Sequence, residues 1–205
     1  MKTTAKRLLN RCTIAVVTLL LSGYAQSQRL YNGRAPLNSP YPARGSVFFS
    51  ENFLPGEFRV VGGPFYQAAI LYNMYNNEII VKMGKKRRKL GSSQGTEFKI
   101  GNHHFVSVKR HFYELLYDGK VKLLRNYYCT LLVRGVDEAP GRYFTREEYY
   151  LYLSNGKLKL IDPSKKTSVL NALRPEQVEV TINEDMLHLH KIDYLKEVLE
   201  QYFPS

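Results

Sequence analysis

The feature that most constrains the fold is a series of short turn sequences, each flanked by segments in which apolar and polar residues alternate. Asn-Gly and Asp-Gly pairs favour the type I′ turn of a β-hairpin, because both central residues of that turn need a positive φ. Alternation on both sides of a turn gives the hairpin one apolar face. Five such turns occur in residues 62–156, and together they predict an antiparallel β-meander: Gly62-Gly63, Asn76-Asn77, Gly101-Asn102, Asp118-Gly119 and Asn155-Gly156.

If each loop has two residues, the turns also fix which side chains face each other. In the hairpin around Asn155-Gly156, this places Leu151, Leu153, Leu158 and Leu160 together on one buried face. The predicted pairs are Met74 with Ile79, Tyr72 with Val81, Ile70 with Met83, Ile100 with His103, Phe98 with Phe105, Leu116 with Val121, Leu153 with Leu158 and Leu151 with Leu160.

A meander with one apolar face needs a cover or must curl toward a barrel. Ile192, Leu195, Leu199 and Tyr202 recur at helical spacing before Pro204, which predicts a covering helix. Segment 176–183 stays open between helix and strand, because its apolar residues fit both periods. The predicted class is α+β: a curled antiparallel meander or partly closed barrel covered by C-terminal helices within about 163–205.

The N-terminus has the sequence features of a cleaved export signal. Four cations precede the apolar run Thr13–Leu21, which is too short for a membrane span, and small residues follow it. We therefore predict a signal peptide at 1–27, a flexible leader at 28–44 and a single domain at 45–205. The predicted location is the periplasm or the medium, with no transmembrane segment in the mature chain.

Most of the positive charge that remains after removal of the signal peptide lies in one basic run. The full chain carries a net charge of +12, and loss of the signal's four cations leaves +8, of which six come from this run. The run can be a solvated loop that protects a sheet edge. It can also contact an anionic surface, and its residues are the candidate binding site: Lys82, Lys85, Lys86, Arg87, Arg88 and Lys89.

Other polar residues are weaker candidates. His103 and His104 should point to opposite faces of a strand, while His188 and His190 could share a face of an extended segment, which alone does not make a metal site. The adjacent carboxylates Asp137-Glu138 and Glu147-Glu148 should likewise diverge. Glu114 shares the apolar side of its strand, and an edge position or a covering lysine would explain it.

Motifs for catalysis and cofactors are missing from the sequence. It contains no G-x-S-x-G, glycine-rich phosphate loop or H-E-x-x-H, and Cys129 is interpreted as a buried strand residue. No catalytic residue, metal or cofactor is predicted. Four tyrosines recur on strand faces opposite or beside lysines: Tyr113, Tyr117, Tyr150 and Tyr152. This pattern is typical of a partly solvent-exposed sheet face and also of a face that binds sugar or peptide.

Four segments carry a resemblance to a known family. They are VVGGPFYQAAILYNMYNNEIIV, FYELLYDGKVKLL, EEYYLYLSNGKLKLI and the tail LKEVLEQYF. Over residues 45–203 the chain resembles a family of uncharacterised exported proteins of Gram-negative bacteria. The resemblance implies β-hairpins followed by C-terminal helices, which favours helix over 175–183, and it supplies no catalytic or ligand residues.

The predicted function is that of an exported non-enzymatic binding or envelope-maintenance protein. Its expected partners are anionic lipid, lipopolysaccharide or acidic glycan, and no nucleic acid is expected because the chain is exported. An envelope hydrolase with an unrecognised site and a carrier of an apolar ligand are the alternatives. The sequence does not indicate the oligomeric state.

Overall fold

The computed structural model describes residues 45–132 and 142–205; the predicted signal peptide and leader lie outside them. These residues form a ten-stranded antiparallel sheet followed by two α-helices, which confirms the predicted sheet of hairpins with C-terminal helices. The helices are α1 (Lys166–Leu173) and α2 (Glu184–Tyr202). The strands are β1 (Leu54–Arg59), β2 (Tyr66–Asn73), β3 (Glu78–Met83), β4 (Lys86–Gly91), β5 (Glu97–Ile100), β6 (His103–Val108), β7 (His111–Asp118), β8 (Lys122–Leu132), β9 (Arg142–Tyr152) and β10 (Leu158–Ile161).

Strand order departs from chain order at one place, because β1 lies between β2 and β5. The order is β10-β9-β8-β7-β6-β5-β1-β2-β3-β4. Phe58 of β1 therefore faces Tyr66 of β2 on one side and Phe98 of β5 on the other.

The sheet is open, and as a whole it is not strongly curled. Within the described residues, β4 and β10 each have a neighbour on one side only, so the predicted partial closure into a barrel is wrong. The edges explain why: β4 is lined with cations, which discourage further strand pairing, and β10 leads directly toward α1.

Hairpin registers agree with the prediction only where the loop has two residues. The Gly101-Asn102 hairpin has such a loop, and its predicted pairs form. The connection at Asn76-Asn77 instead runs from Met74 to Asn77, so Tyr72 pairs with Ile79 and not with Val81. This shift of two residues leaves every side chain on its predicted face, since sides alternate with period two.

The β9–β10 hairpin shifts by one residue, which changes the face. The Leu153 N–H donates to the Lys157 carbonyl oxygen at 2.9 Å, and Gly156 has a φ of 75°, which makes a three-residue loop. Leu160 therefore pairs with Tyr150 and is 62% exposed. The prediction that Leu160 is buried with the other leucines is wrong.

At the β7–β8 connection, a β-bulge changes the predicted pairing. The pairing of Leu116 with Val121 is wrong, because the register shifts between Leu115 and Tyr117 and Tyr117 then pairs with Leu123. The bulge turns the Tyr117 ring toward the end of the chain.

The chain end lies directly over this connection. The Tyr117 hydroxyl donates to the Phe203 carbonyl oxygen at 2.8 Å, and the Ser205 hydroxyl donates to the Asp118 carbonyl oxygen at 2.7 Å. A Cβ atom at Gly119 would lie 2.4 Å from the Phe203 oxygen. Glycine is needed here for close approach of two backbones, and not for the hairpin φ that the sequence suggested.

The helices cover the sheet only at β7–β10, which confirms the predicted cover of the apolar face in part. Leu195 and Leu199 of the predicted helical stripe are fully buried, while Ile192 and Tyr202 pack at its margin. Their main buried partners lie on α1, on the strands and in the hairpin connections: Val169, Ala172, Leu173, Val121, Leu123, Leu151, Leu153 and Ile161. In the described chain, 177–183 is neither helix nor strand, so the helix favoured there is wrong beyond the 3-10 turn Arg174–Glu176.

Asn183 caps the N-terminus of α2. Its side-chain oxygen accepts hydrogen bonds from the N–H groups of Asp185 and Met186 at 3.0 and 3.2 Å. We expect Asn183→Ala to lower the free energy of unfolding by about 1 kcal/mol, because these N–H groups have no partner within the helix. Urea unfolding measures this loss. Asn183→Asp should largely retain stability, and a loss equal to that of alanine would contradict the capping role.

A second core is built of aromatic rings from both halves of the sheet. Phe98 and Phe105 stack with centroids 4.6 Å apart, and Tyr72 of β2 lies 5.8 Å from Phe112 of β7. Four inter-strand steps separate these two strands, about 19 Å in a flat sheet. The β1–β4 end therefore bends locally toward β7, although the sheet stays open.

Candidate functional site

The candidate basic residues lie on a hairpin at the edge of the sheet. Lys82 is near the end of β3, Lys85 is in the turn, and the other four begin β4. The description of this run as a loop is therefore wrong. Gly84 takes a φ of 60°, and Met83 pairs with Lys86 across a two-residue turn, so one glycine is enough to reverse the chain here.

Five of the six cations are exposed to solvent. Lys89 is half-buried, and its Nζ lies 2.9 Å from a Glu78 carboxylate oxygen, which neutralises its charge. Among the described residues, no carboxylate lies within ion-pair distance of the other five: Lys82, Lys85, Lys86, Arg87 and Arg88.

Exposed apolar side chains lie at the same end of the sheet. Successive hairpin turns alternate between the two ends, so the β1–β2 and β3–β4 turns share one end. Val61 in the first turn is 74% exposed, and Met83 beside the second is 40% exposed. We call these two turns, with the five exposed cations, the basic end: residues 60–65 and 82–88.

The same cations can also be explained structurally, as residues that protect the sheet edge from pairing with another chain. An edge strand offers unpaired N–H and C=O groups to other chains, and lysines discourage such pairing. This explains charge along β4. It does not explain Met83 and Val61, since exposed apolar groups beside an edge favour association.

The histidines do not converge on a metal site in the described part of the chain, and no cluster there has three or more metal-binding side chains. His103 and His104 point to opposite faces, as predicted, with one imidazole nitrogen of each lying 2.7 Å from Glu114 and 2.6 Å from Glu97, respectively. His188 and His190 are exposed and lie on α2, not in the extended segment that would have placed them on one face. Two positions apart on a helix, they point about 200° away from each other.

Glu114 is at the centre of a buried polar cluster that sequence reasoning identified only in part. Its apolar-side position is confirmed, since it is 5% exposed. The expected edge or lysine explanation is wrong: Arg125 Nε donates to the Glu114 carboxylate at 2.8 Å, and the Tyr127 hydroxyl donates at 2.7 Å. His103 contacts the other carboxylate oxygen.

These contacts determine the charge state of the cluster. Burial alone would raise the pKa of Glu114, but hydrogen bonds from Tyr127, His103 and Arg125 outweigh it and hold the pKa below the ordinary value. Burial and the neighbouring carboxylate raise the pKa of Tyr127. Glu114 is thus a charged, fully bonded carboxylate that ties β7 to β8, and its geometry is that of a structural ion pair.

The remaining candidates occupy ordinary positions. Glu147 and Glu148 diverge as predicted, toward Arg125 and Arg146 respectively. Cys129 is buried beside Val47 and Tyr143, and burial raises the pKa of its thiol, which confirms the interpretation as a small apolar residue. Asp137 and Glu138 lie outside the described residues.

The predicted tyrosine face is divided by the bulge. Tyr113 and Tyr150 contact each other, with ring centroids 5.5 Å apart, whereas Tyr117 turns under the chain end. Neither α-helix of residues 45–132 and 142–205 combines the length and the hydropathy that a membrane span requires.

Comparison with known proteins adds no assignment. No family model, curated protein or solved structure matches the chain. The resemblance to exported envelope proteins therefore stays a prediction from the sequence.

Proposed function

We propose that the protein is a non-enzymatic binding protein that docks on anionic lipid surfaces through its basic end. The observation that supports this most directly is the combination of five exposed cations with exposed Met83 and Val61 at one end of the sheet. Peripheral membrane sites combine basic residues that meet anionic headgroups with apolar side chains that enter the interface. The predicted export signal would bring this end to the bacterial envelope.

The expected strength is that of reversible association. Each cation near an anionic membrane contributes about 1 kcal/mol, so five supply about 5 kcal/mol. Alone, this corresponds to a Kd between about 0.1 and 1 mM. Burial of Met83 and Val61 would tighten it. Binding should weaken with salt, because exposed charges are screened over about 8–10 Å.

A charge-matched pair of variants tests this proposal. Lys85→Ser/Lys86→Ser removes two cations from the turn and should weaken binding to phosphatidylglycerol-containing vesicles about 30-fold, at about 1 kcal/mol per charge. Lys157→Ser/Lys159→Ser removes two exposed cations from the β9–β10 hairpin and should change binding little. Co-sedimentation with vesicles over a salt series measures both.

The same assay separates the other partners. Equal binding to pure phosphatidylcholine vesicles, or equal losses in the two double variants, would contradict docking through the basic end. Tighter binding to lipopolysaccharide or to a soluble acidic polysaccharide than to phosphatidylglycerol would reassign the partner. The envelope hydrolase and the carrier of an apolar ligand remain predictions from the sequence.

A further inference from the structure

A cavity of about 280 Å³ lies between the β2–β3 connection and the strands β7, β8 and β9, and its lining includes side chains from both faces of β8. The β2–β3 connection and the β3–β4 turn lie at opposite ends of β3, so the cavity and the basic end can be tested separately. The lining of the cavity is rich in tyrosine: Tyr75, Tyr113, Tyr127, Tyr128 and Tyr150. Asn126 and Glu148 also line it.

The rim of this tyrosine cavity is held in place by Asn77. The Phe112 N–H donates to the Asn77 side-chain oxygen at 2.9 Å. The Asn77 amide nitrogen donates to the Ser92 hydroxyl at 2.7 Å and to the Arg110 carbonyl oxygen at 3.0 Å. The β2–β3 connection is therefore fixed against the β6–β7 turn, and the cavity is preformed.

The charges in the cavity are already balanced. Arg146 binds the Glu148 carboxylate at 2.7 Å, and its guanidinium carbon lies 4.7 Å from the Tyr128 ring centroid. The Tyr150 hydroxyl donates to the second Glu148 oxygen at 2.9 Å. A cationic ligand would have to compete with Arg146 for both the carboxylate and the Tyr128 ring. A neutral ligand meets no such competition.

Two polar groups in the lining have no partner among the described residues. No described hydrogen bond involves the Tyr113 hydroxyl or the Asn126 amide, although Tyr113 is only 5% exposed. No buried side-chain nitrogen or oxygen of the described residues lacks a partner, so the Tyr113 hydroxyl and the Asn126 amide are reached by solvent and are available to water or to a ligand. Together they offer a hydroxyl and an amide, each of which both donates and accepts.

We propose that the tyrosine cavity binds a neutral sugar ring. A pyranose has C–H faces that pack on aromatic rings and a rim of hydroxyls that donate and accept hydrogen bonds. The lining offers both features, and the volume lies just below the range of about 300–1,000 Å³ for sites that hold drug-sized ligands. The site therefore fits one ring, with the Tyr113 hydroxyl and the Asn126 amide bonded to sugar hydroxyls.

The test uses the full chain and defined probes. Saturation-transfer NMR with methyl glucoside, methyl galactoside and N-acetylglucosamine should show at least one of them binding with a Kd in the millimolar range, as expected for a ligand of about 12 non-hydrogen atoms. Tyr113→Phe keeps the ring and removes only the hydroxyl, and it should weaken binding about fivefold, as should Asn126→Ala. Tyr66→Phe, an exposed tyrosine at the other end, should bind as wild type.

Circular dichroism of each variant confirms that a loss of binding is not a loss of fold. Three results would overturn the proposal: choline binding tighter than every sugar, no sugar binding in the millimolar range, or wild-type affinity in both Tyr113→Phe and Asn126→Ala. None of these results depends on whether the basic end binds lipid.

Discussion

Glu114→Ala is expected to lower the free energy of unfolding by about 3–5 kcal/mol, because it leaves the Arg125 guanidinium without its buried partner. Glu114 has 6% of its side chain exposed and Arg125 has 21%. The loss should fall near the lower limit, since Glu147 lies 3.4 Å from Arg125 and can take over part of its charge. Chemical unfolding at pH 7 measures the effect, with exposed Glu179→Ala as the control.

The pH dependence gives a second measurement of this ion pair. The folded-state pKa of Glu114 is below its ordinary value of 4.5. The carboxylate therefore contributes stability above pH 4.5 and loses it as the pH falls through the lower, folded value. Wild type should lose more stability on acidification than Glu114→Ala. Parallel acid profiles, or equal losses in Glu114→Ala and Glu179→Ala, would mean that the cluster does not stabilise the fold.

Leu195→Ala is expected to cost about 2–5 kcal/mol, because it removes a fully buried side chain from the contact between α2 and the sheet. Leu189 lies in α2 before a break at Lys191, where φ is 30°, and it is 74% exposed, so Leu189→Ala should cost less than about 1 kcal/mol. Both changes replace leucine with alanine in a helix, which makes their helix propensities comparable. Thermal and urea unfolding of the two variants compare them directly.

Similar losses at the two positions would contradict the placement of α2. A large loss at Leu189 alone would indicate that the part of α2 before Lys191 packs on the sheet through a different face.

Five of the turn positions were predictable from the sequence, but their lengths were not, and the β3–β4 turn at Gly84-Lys85 was missed. Gly101-Asn102 and Asn155-Gly156 look alike in sequence, yet one closes a two-residue loop and the other a three-residue loop. One added residue reverses the faces, which is why Leu160 is exposed. The Lys109-Arg110 turn gave no signal at all, because both residues take φ values of 49° and 65° without glycine or asparagine. Tertiary contact imposes that conformation: the Asn77 side chain binds the Arg110 carbonyl oxygen.

For the candidate sites too, the sequence predicted some features, and others depend on the fold. Alternation placed Glu114 on the apolar side, but its pairing with Arg125 depends on the register beyond a bulge that nothing in the local sequence marks. The basic run was visible as charge, while its association with Val61 required the alternation of turns between the two ends of the sheet. The tyrosine cavity combines three strands and a connection that lie far apart in the chain, so only the fold shows it.

The position of β1 also bears on how the sheet assembles. β1–β4 and β5–β10 are two runs of consecutive hairpins, which form through local contacts. They are joined where β1 pairs with β5, and Arg59 and Glu97 in that pairing are 38 residues apart. Non-local pairing is slow, because loop closure costs entropy before the contacts form. In any state in which β1 is not yet in place, the N–H and C=O groups of β5 are open to another chain. Aggregation during refolding should therefore begin at β5, and substitutions that slow the docking of β1 should promote it even where they leave the finished sheet as stable as before.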